Sequence, residues 1–161
     1  MNKINFLSVT RRKPQAIAII KGSDKYPSLS GFVRFYQTNY GVIMLAEISG
    51  LPKPEKDCKQ PIFAFHIHSG SSCTGDANDA FAAAMSHYNP GGCQHPYHAG
   101  DLPPLFGANG RAFSMFLTDR FSVREIVGKT VIIHSGPDDF SSQPAGNSGN
   151  KIACGVIRPQ Q

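Results

Sequence analysis

Apolar and polar residues alternate in short runs along most of this chain, the period-two pattern of half-buried strands. Gln15–Lys21, Gly31–Gln37, Val42–Ile48, Ile62–His68, Arg111–Leu117, Thr130–His134 and Lys151–Ile157 carry it, and a shorter strand is expected to begin at Asp101. Turn residues separate the runs at Asn39-Tyr40-Gly41, Ala108-Asn109-Gly110 and Gly128-Lys129. About eight strands at this spacing predict an all-β fold, an antiparallel sandwich or barrel. The stretch from Ser69 to Gly100 breaks the rhythm. Asp79–Ser86 predicts two helical turns with Asn78 or Asp79 as the cap, and the remainder reads as loop. A loop of that length in a compact domain needs ties, and three histidines and two cysteines lie within it.

The chain has 161 residues, no internal repeat and no linker, so residues 1–161 are expected to form one domain. A formal charge of +5 suits an anionic partner. The basic residues are scattered, however, and the one tight cluster, Arg11-Arg12-Lys13, lacks interleaved aromatic residues. It reads as solvated surface, and no nucleic acid is expected as a partner. No run of eighteen apolar residues occurs, so no membrane partner is expected. Nothing between Met1 and Arg11 forms the apolar core of a secretory leader. The chain as it stands is therefore expected in the cytoplasm, with an exported form after removal of a leader as the alternative. Cys58, Cys73, Cys93 and Cys154 contain no C-x-x-C pair, which argues against zinc-ribbon and thioredoxin chemistry. They leave one or two disulfides, or buried free thiols, as open alternatives.

Candidate chemistry centres on histidine. In a strand over Ile62–His68, Phe63, Phe65 and Ile67 share one face, and His66 and His68 the other. Two imidazoles one pleat apart can reach a single metal ion about 2 Å from each. His87, His95, His98 and Asp101 follow as H-x7-H-x2-H-x2-D, three imidazoles and a carboxylate that complete a closed tetrahedral zinc shell. A closed shell is structural. His134 ends the strand Thr130–His134, where Val131 and Ile133 are expected to face inward and His134 outward. The chain has six histidines, and every one belongs to this set.

The segments FHIH (65–68), HYNP (87–90), HAGDLPPL (98–105), GKTVIIHSGPDD (128–139) and GNSGNKIACGVI (146–157) resemble those of the copper,zinc superoxide dismutases. Before Phe65 the resemblance rests on strand pattern and the turn Gly50-Leu51-Pro52. It implies an eight-stranded Greek-key barrel of the sandwich class with long metal-binding and electrostatic loops. It implies copper on His66, His68, His87 and His134, and zinc on His87, His95, His98 and Asp101, with His87 bridging both and serving as proton donor. Asp138 matches the carboxylate linking a copper histidine, here His66, to a zinc histidine, here His95. Cys73 and Cys154 match the family's disulfide, which would pin the long loop to the last strand; Cys58 and Cys93 take no role and stay open between thiols and a bridge. The implied substrate is superoxide, a small anion, and loading both ions would raise the net charge to roughly +8, in keeping with steering. Lys151 stands where the family has an arginine, keeping the charge but losing the planar fork of donors. Ala145 replaces a threonine, and the 139–154 segment is short, so a more open copper site is expected. A homodimer is the assembly the resemblance implies. The alternative reading is a non-enzymatic copper- and zinc-binding relative used for metal handling.

Overall fold

Nine strands and two short helices follow one another among the described residues, 6–53 and 61–160 of a computed structural model. Helix α1 (Phe6–Thr10) precedes β1 (Ala16–Gly22), β2 (Ser30–Thr38) and β3 (Gly41–Ser49). Then come β4 (Ile62–Phe63), β5 (Phe65–His68), β6 (Leu105–Phe106) and β7 (Arg111–Thr118). Helix α2 (Val123–Ile126), β8 (Thr130–His134) and β9 (Lys151–Pro159) complete the chain. Seven strands form one antiparallel sheet in the order β5, β8, β9, β1, β2, β3, β7, and β4 pairs with β6. The chain leaves β3 to reach β5 at the far end of that sheet and returns to place β7 beside β3. These crossovers make the antiparallel arrangement Greek-key. The expected all-β Greek-key barrel class is therefore the one observed. No helix among the described residues is long and apolar enough to cross a membrane.

The strand expected over Ile62–His68 is two strands. Ala64 turns its backbone away: its N–H donates to the Gly136 carbonyl at 2.7 Å, and its carbonyl accepts from the His134 N–H at 2.9 Å. Beyond it β5 pairs with β8, whereas β4 pairs with β6. The strand expected to begin at Asp101 is displaced, since Asp101 makes only an isolated bridge to His66 and β6 starts at Leu105. The two helical turns expected over Asp79–Ser86 shrink to a single 3₁₀ turn at Ala82–Ala84. Its backbone groups are taken from outside, Ala83 N–H by the Thr74 carbonyl and the Ala84 carbonyl by Gly70 N–H. Helices α1 and α2 had no expectation in the alternating pattern; Ser122 and Glu125 form a capping box on α2.

Parity does the rest. Phe63, Phe65 and Ile67 join Val131, Ile133, Ala153 and Ile157 in the main core. The opposite face of β5, β8 and β9 carries His66, His68, Ile132 and Cys154, and it too is buried, so His134, expected outward, is covered rather than exposed. The cover is the loop after β5. Phe81, Ala84 and Cys73 pack on Ile132 and Cys154, and a Cys73–Cys154 disulfide fastens the loop to β9. A bulge between β8 and β9 then sets the chemistry, because Ile133 pairs with Ala153 but His134 pairs with Lys151. The extra residue, Ile152, turns into the core, and Lys151 comes to lie opposite His134. Cys93 is a free, exposed thiol, which removes the expected choice between a bridge and burial for it; Cys58 lies outside the described residues.

The disulfide closes a separation of 81 residues. Replacing Cys154 by Ser is expected to cost about 2–4 kcal/mol, the usual range for a bridge over a long loop. Urea unfolding of the metal-free variant against the parent measures it.

Candidate metal centre

All six histidines, with Asp101 and Asp138, are buried, none more than 7% exposed. Burying eight ionisable side chains in one place is unfavourable unless each finds a partner. Four of the imidazoles, His66, His68, His95 and His134, are each fixed through one nitrogen, leaving the other to point inward. His66 Nε2–H donates to Asp138 Oδ2 at 2.8 Å, and His95 Nε2–H donates to Asp138 Oδ1 at 2.9 Å. His68 Nδ1–H donates to the Met85 carbonyl at 2.8 Å, and His134 Nδ1–H to the Gly149 carbonyl at 3.3 Å. Carboxylates and carbonyls only accept, so these contacts set the tautomers.

The freed atoms gather in two groups. His66, His68, His87 and His134 offer one ligand atom each, all within 4.8 Å of one another, and His68 Nε2 lies 3.3 Å from His134 Nε2. His87, His95, His98 and Asp101 form the second group within the same limit. There His87 Nδ1 is 2.7 Å from Asp101 Oδ1 and 3.4 Å from His98 Nδ1, and His95 Nδ1 is 3.1 Å from Asp101 Oδ2. Tetrahedral zinc with bonds near 2.0–2.1 Å has ligands about 3.3 Å apart. The donor set fits that ion. His66 Nδ1, His87 Nε2 and His95 Nδ1 are buried without a hydrogen-bond partner, which is the condition expected of atoms waiting for a cation. His87 belongs to both groups, and the rings of His66 and His87 lie 4.0 Å apart.

Electrostatics agree. Burial, then the charges of neighbouring imidazoles, pushes His68 well down and His134 down to about 3; burial also lowers His66. These rings are neutral and available as ligands across the physiological range. Burial would raise Asp138, but donors from His66, Phe140 and His95 outweigh it and hold its carboxyl at about 2.

Every site residue expected from the sequence lies in this region. Asp138 touches both His66 and His95, as the resemblance implied, and Lys151 lines the same cavity as His68, His87, His98 and His134. That cavity encloses about 660 Å³. Its walls include Asp24, Lys25, Asp79, Met85, Ala145 and Asn150. Several supporting residues had no signal in the sequence. Met85 adopts φ 63° and ψ −144°, a conformation that costs a residue with a side chain, to aim its carbonyl at His68. Arg120 Nη1 donates to the His98 and Asp101 carbonyls, both at 3.2 Å, gathering the loop from behind. Gln143 clasps the His95 backbone through both ends of its amide. Gly146, at φ 68°, leaves room that a Cβ would take from Asp138 Oδ1 at 2.0 Å and His95 Nε2 at 2.7 Å.

Comparison with known proteins agrees with this geometry. The family model described as Copper/zinc superoxide dismutase (SODC) matches residues 29–157, beginning well before Phe65, where the sequence resemblance became specific. A protein named superoxide dismutase [Cu-Zn] 2 from Aquifex aeolicus is 36% identical over 143 residues, covering 80% of this chain and 78% of its own. The superoxide dismutase [Cu-Zn] of Photobacterium leiognathi is 34% identical over 142 residues, with 80% and 78% covered. The solved Cu/Zn superoxide dismutase from Brucella abortus superposes with a TM-score of 0.71 at 24% identity, covering 88% of this chain and 98% of that one, and shares the fold.

Two outcomes are expected. The unfolded chain protonates its histidines near 6.5, whereas folded His134 resists until about 3. Asp138, held at about 2 against 3.8, contributes stability above 3.8 that is lost between 3.8 and 2. The metal-free protein should thus lose stability as pH falls below 6.5, by up to about 1.4 kcal/mol per pH unit for each histidine kept neutral. Thermal melts from pH 7.5 to 4 measure this, and a flat profile down to pH 4.5 contradicts it. Gly146→Ala should displace Asp138 and lower zinc affinity by roughly 10–100-fold, the scale for losing a ligand's supporting hydrogen bond; competition with a chelator reads it.

Proposed function

The chain belongs to the copper/zinc superoxide dismutase family, and we propose that it disproportionates superoxide to dioxygen and hydrogen peroxide. In this reading His66, His68, His87 and His134 hold copper, and His87, His95, His98 and Asp101 hold zinc. The observation that carries it is the shared ring: His87 directs Nδ1 into the group that has the tetrahedral spacing and leaves Nε2 buried and unpartnered. When bound, copper supplies two accessible oxidation states, and zinc supplies fixed charge without redox chemistry.

The chain's own groups supply position and protons. His87 is held at Nδ1 by the second group, so its Nε2 can take up a proton and return it without the ring leaving its place. A cation held by His87, His95, His98 and Asp101 would supply fixed positive charge beside that ring. Asp138 ties His66 to His95, so a shift on one side is resisted by the other. Lys151, opposite His134, offers the anion an N–H donor at the cavity. His66 and His95 have no exposed side-chain surface, so bulk water is kept from those rings.

Metal handling without catalysis is less well supported, since neither ligand group lacks a member. The proposal extends to a homodimer, which sedimentation equilibrium decides. It also carries the cytoplasmic location, against which the Cys73–Cys154 bridge weighs, because such bonds persist most readily in oxidising compartments. Cell fractionation settles that point.

Fully loaded protein should contain one copper and one zinc per chain and consume superoxide in pulse radiolysis. Asp138→Asn should weaken metal retention by about 10–100-fold. A loaded parent protein inert toward superoxide overturns the proposed activity.

A further inference from the structure

Lys151 is not a free cation. Its Nζ lies 2.5 Å from Asp79 Oδ2 and 3.2 Å from the Phe81 carbonyl oxygen. Both partners belong to the loop segment between Cys73 and the 3₁₀ turn at Ala82–Ala84. An ammonium has three N–H donors, so two are engaged and one remains for a visitor. Among the protein's own side chains lining the cavity, the charges besides Lys151 are Lys25 against Asp24, Asp76 and Asp79, so they add no positive surplus to that of the bound ions. An anion entering here meets a fixed donor whose charge is already offset.

Holding the fold together is a poor account of this pair. Cys154, three residues from Lys151, already anchors the same loop by a disulfide. The Asp79 side chain is 39% exposed, and an ion pair with one partner so wet adds little stability. What the pair does fix is the position of a long, flexible side chain. Lysine lacks the planar fork of an arginine and has more freedom to lose. A carboxylate at one end of its reach removes that freedom.

We propose that Asp79 is the positioning residue of the cavity entrance, holding the Lys151 ammonium in place opposite His134 and offsetting its charge toward incoming anions. This rests on the copper reading of the first histidine group. Asp79 thus trades attraction at a distance for a defined donor close to the site. Removing its charge releases a mobile cation, which strengthens long-range capture and makes it more sensitive to salt.

The test uses fully metallated parent, Asp79→Asn and Asp79→Glu proteins. Acetylation of Lys151, followed by mass spectrometry, should be at least about threefold faster in Asp79→Asn, and Asp79→Glu should stay within about twofold of the parent, because a released amine is more reachable. Azide binding to the cupric protein, read from its visible spectrum, should tighten by roughly two- to fivefold in Asp79→Asn, the scale of one uncovered charge nearby. The rate of superoxide consumption should fall more steeply with ionic strength in that variant. Unchanged acetylation overturns the proposal. Faster acetylation with unchanged azide affinity and salt dependence also overturns it, since the pair is then a mere clamp. If the parent does not consume superoxide, the activity reading fails, while acetylation and azide binding still decide the role of Asp79.

Discussion

Lone pairs that face one another at close range, away from water, are the constraint on which this molecule is built. Three imidazole nitrogens and a carboxylate stand within 2.7–3.4 Å of neighbours in one group, and four imidazoles converge in the other. Too few protons exist in the right places to satisfy them, as the unpartnered atoms on His66, His87 and His95 attest. Protonating the rings is opposed by burial. Divalent cations resolve the conflict, and ligand binding to the folded state alone turns that resolution into stability. His87 joins the two groups, so neither can be understood apart from the other.

The scaffold serves this convergence through ordinary strand geometry. Period-two alternation gives β5 and β8 one face for the core and one for metal chemistry. The bulge at Ile152 keeps core packing intact while delivering Lys151 to the cavity side. The covering loop is poor in regular structure because its backbone groups are committed to particular partners. Met85, in a strained conformation, gives its carbonyl to His68, and Arg120 gathers the carbonyls of His98 and Asp101. Inside a regular helix such carbonyls are committed to intrahelical bonds, and only those of the last turn stay free.

Much of the strand framework was legible because burial on one face writes itself directly into side-chain type. The break at Ala64 was not, since a change of backbone partner leaves no mark on the alternation of Phe63, Phe65 and Ile67. The alanine-rich run before Met85 promised helix from local propensity, and tertiary hydrogen bonds to Thr74 and Gly70 overrode it. The histidine set was legible because imidazole is rare here and every copy lay in a motif. Its supports were hidden for a simple reason: backbone carbonyls, such as those of Met85 and Gly149, belong to every residue and distinguish none. The partner of Lys151 was hidden too, because Asp79 lies 72 residues away along the chain.

Anomalous diffraction at the copper and zinc absorption edges, from crystals loaded with both metals, bears most directly on this account. The expected maps place a copper peak at His87 Nε2 and a zinc peak at His87 Nδ1, with His66, His68 and His134 around the first and His95, His98 and Asp101 around the second. A His87 ring in contact with one ion or none contradicts it.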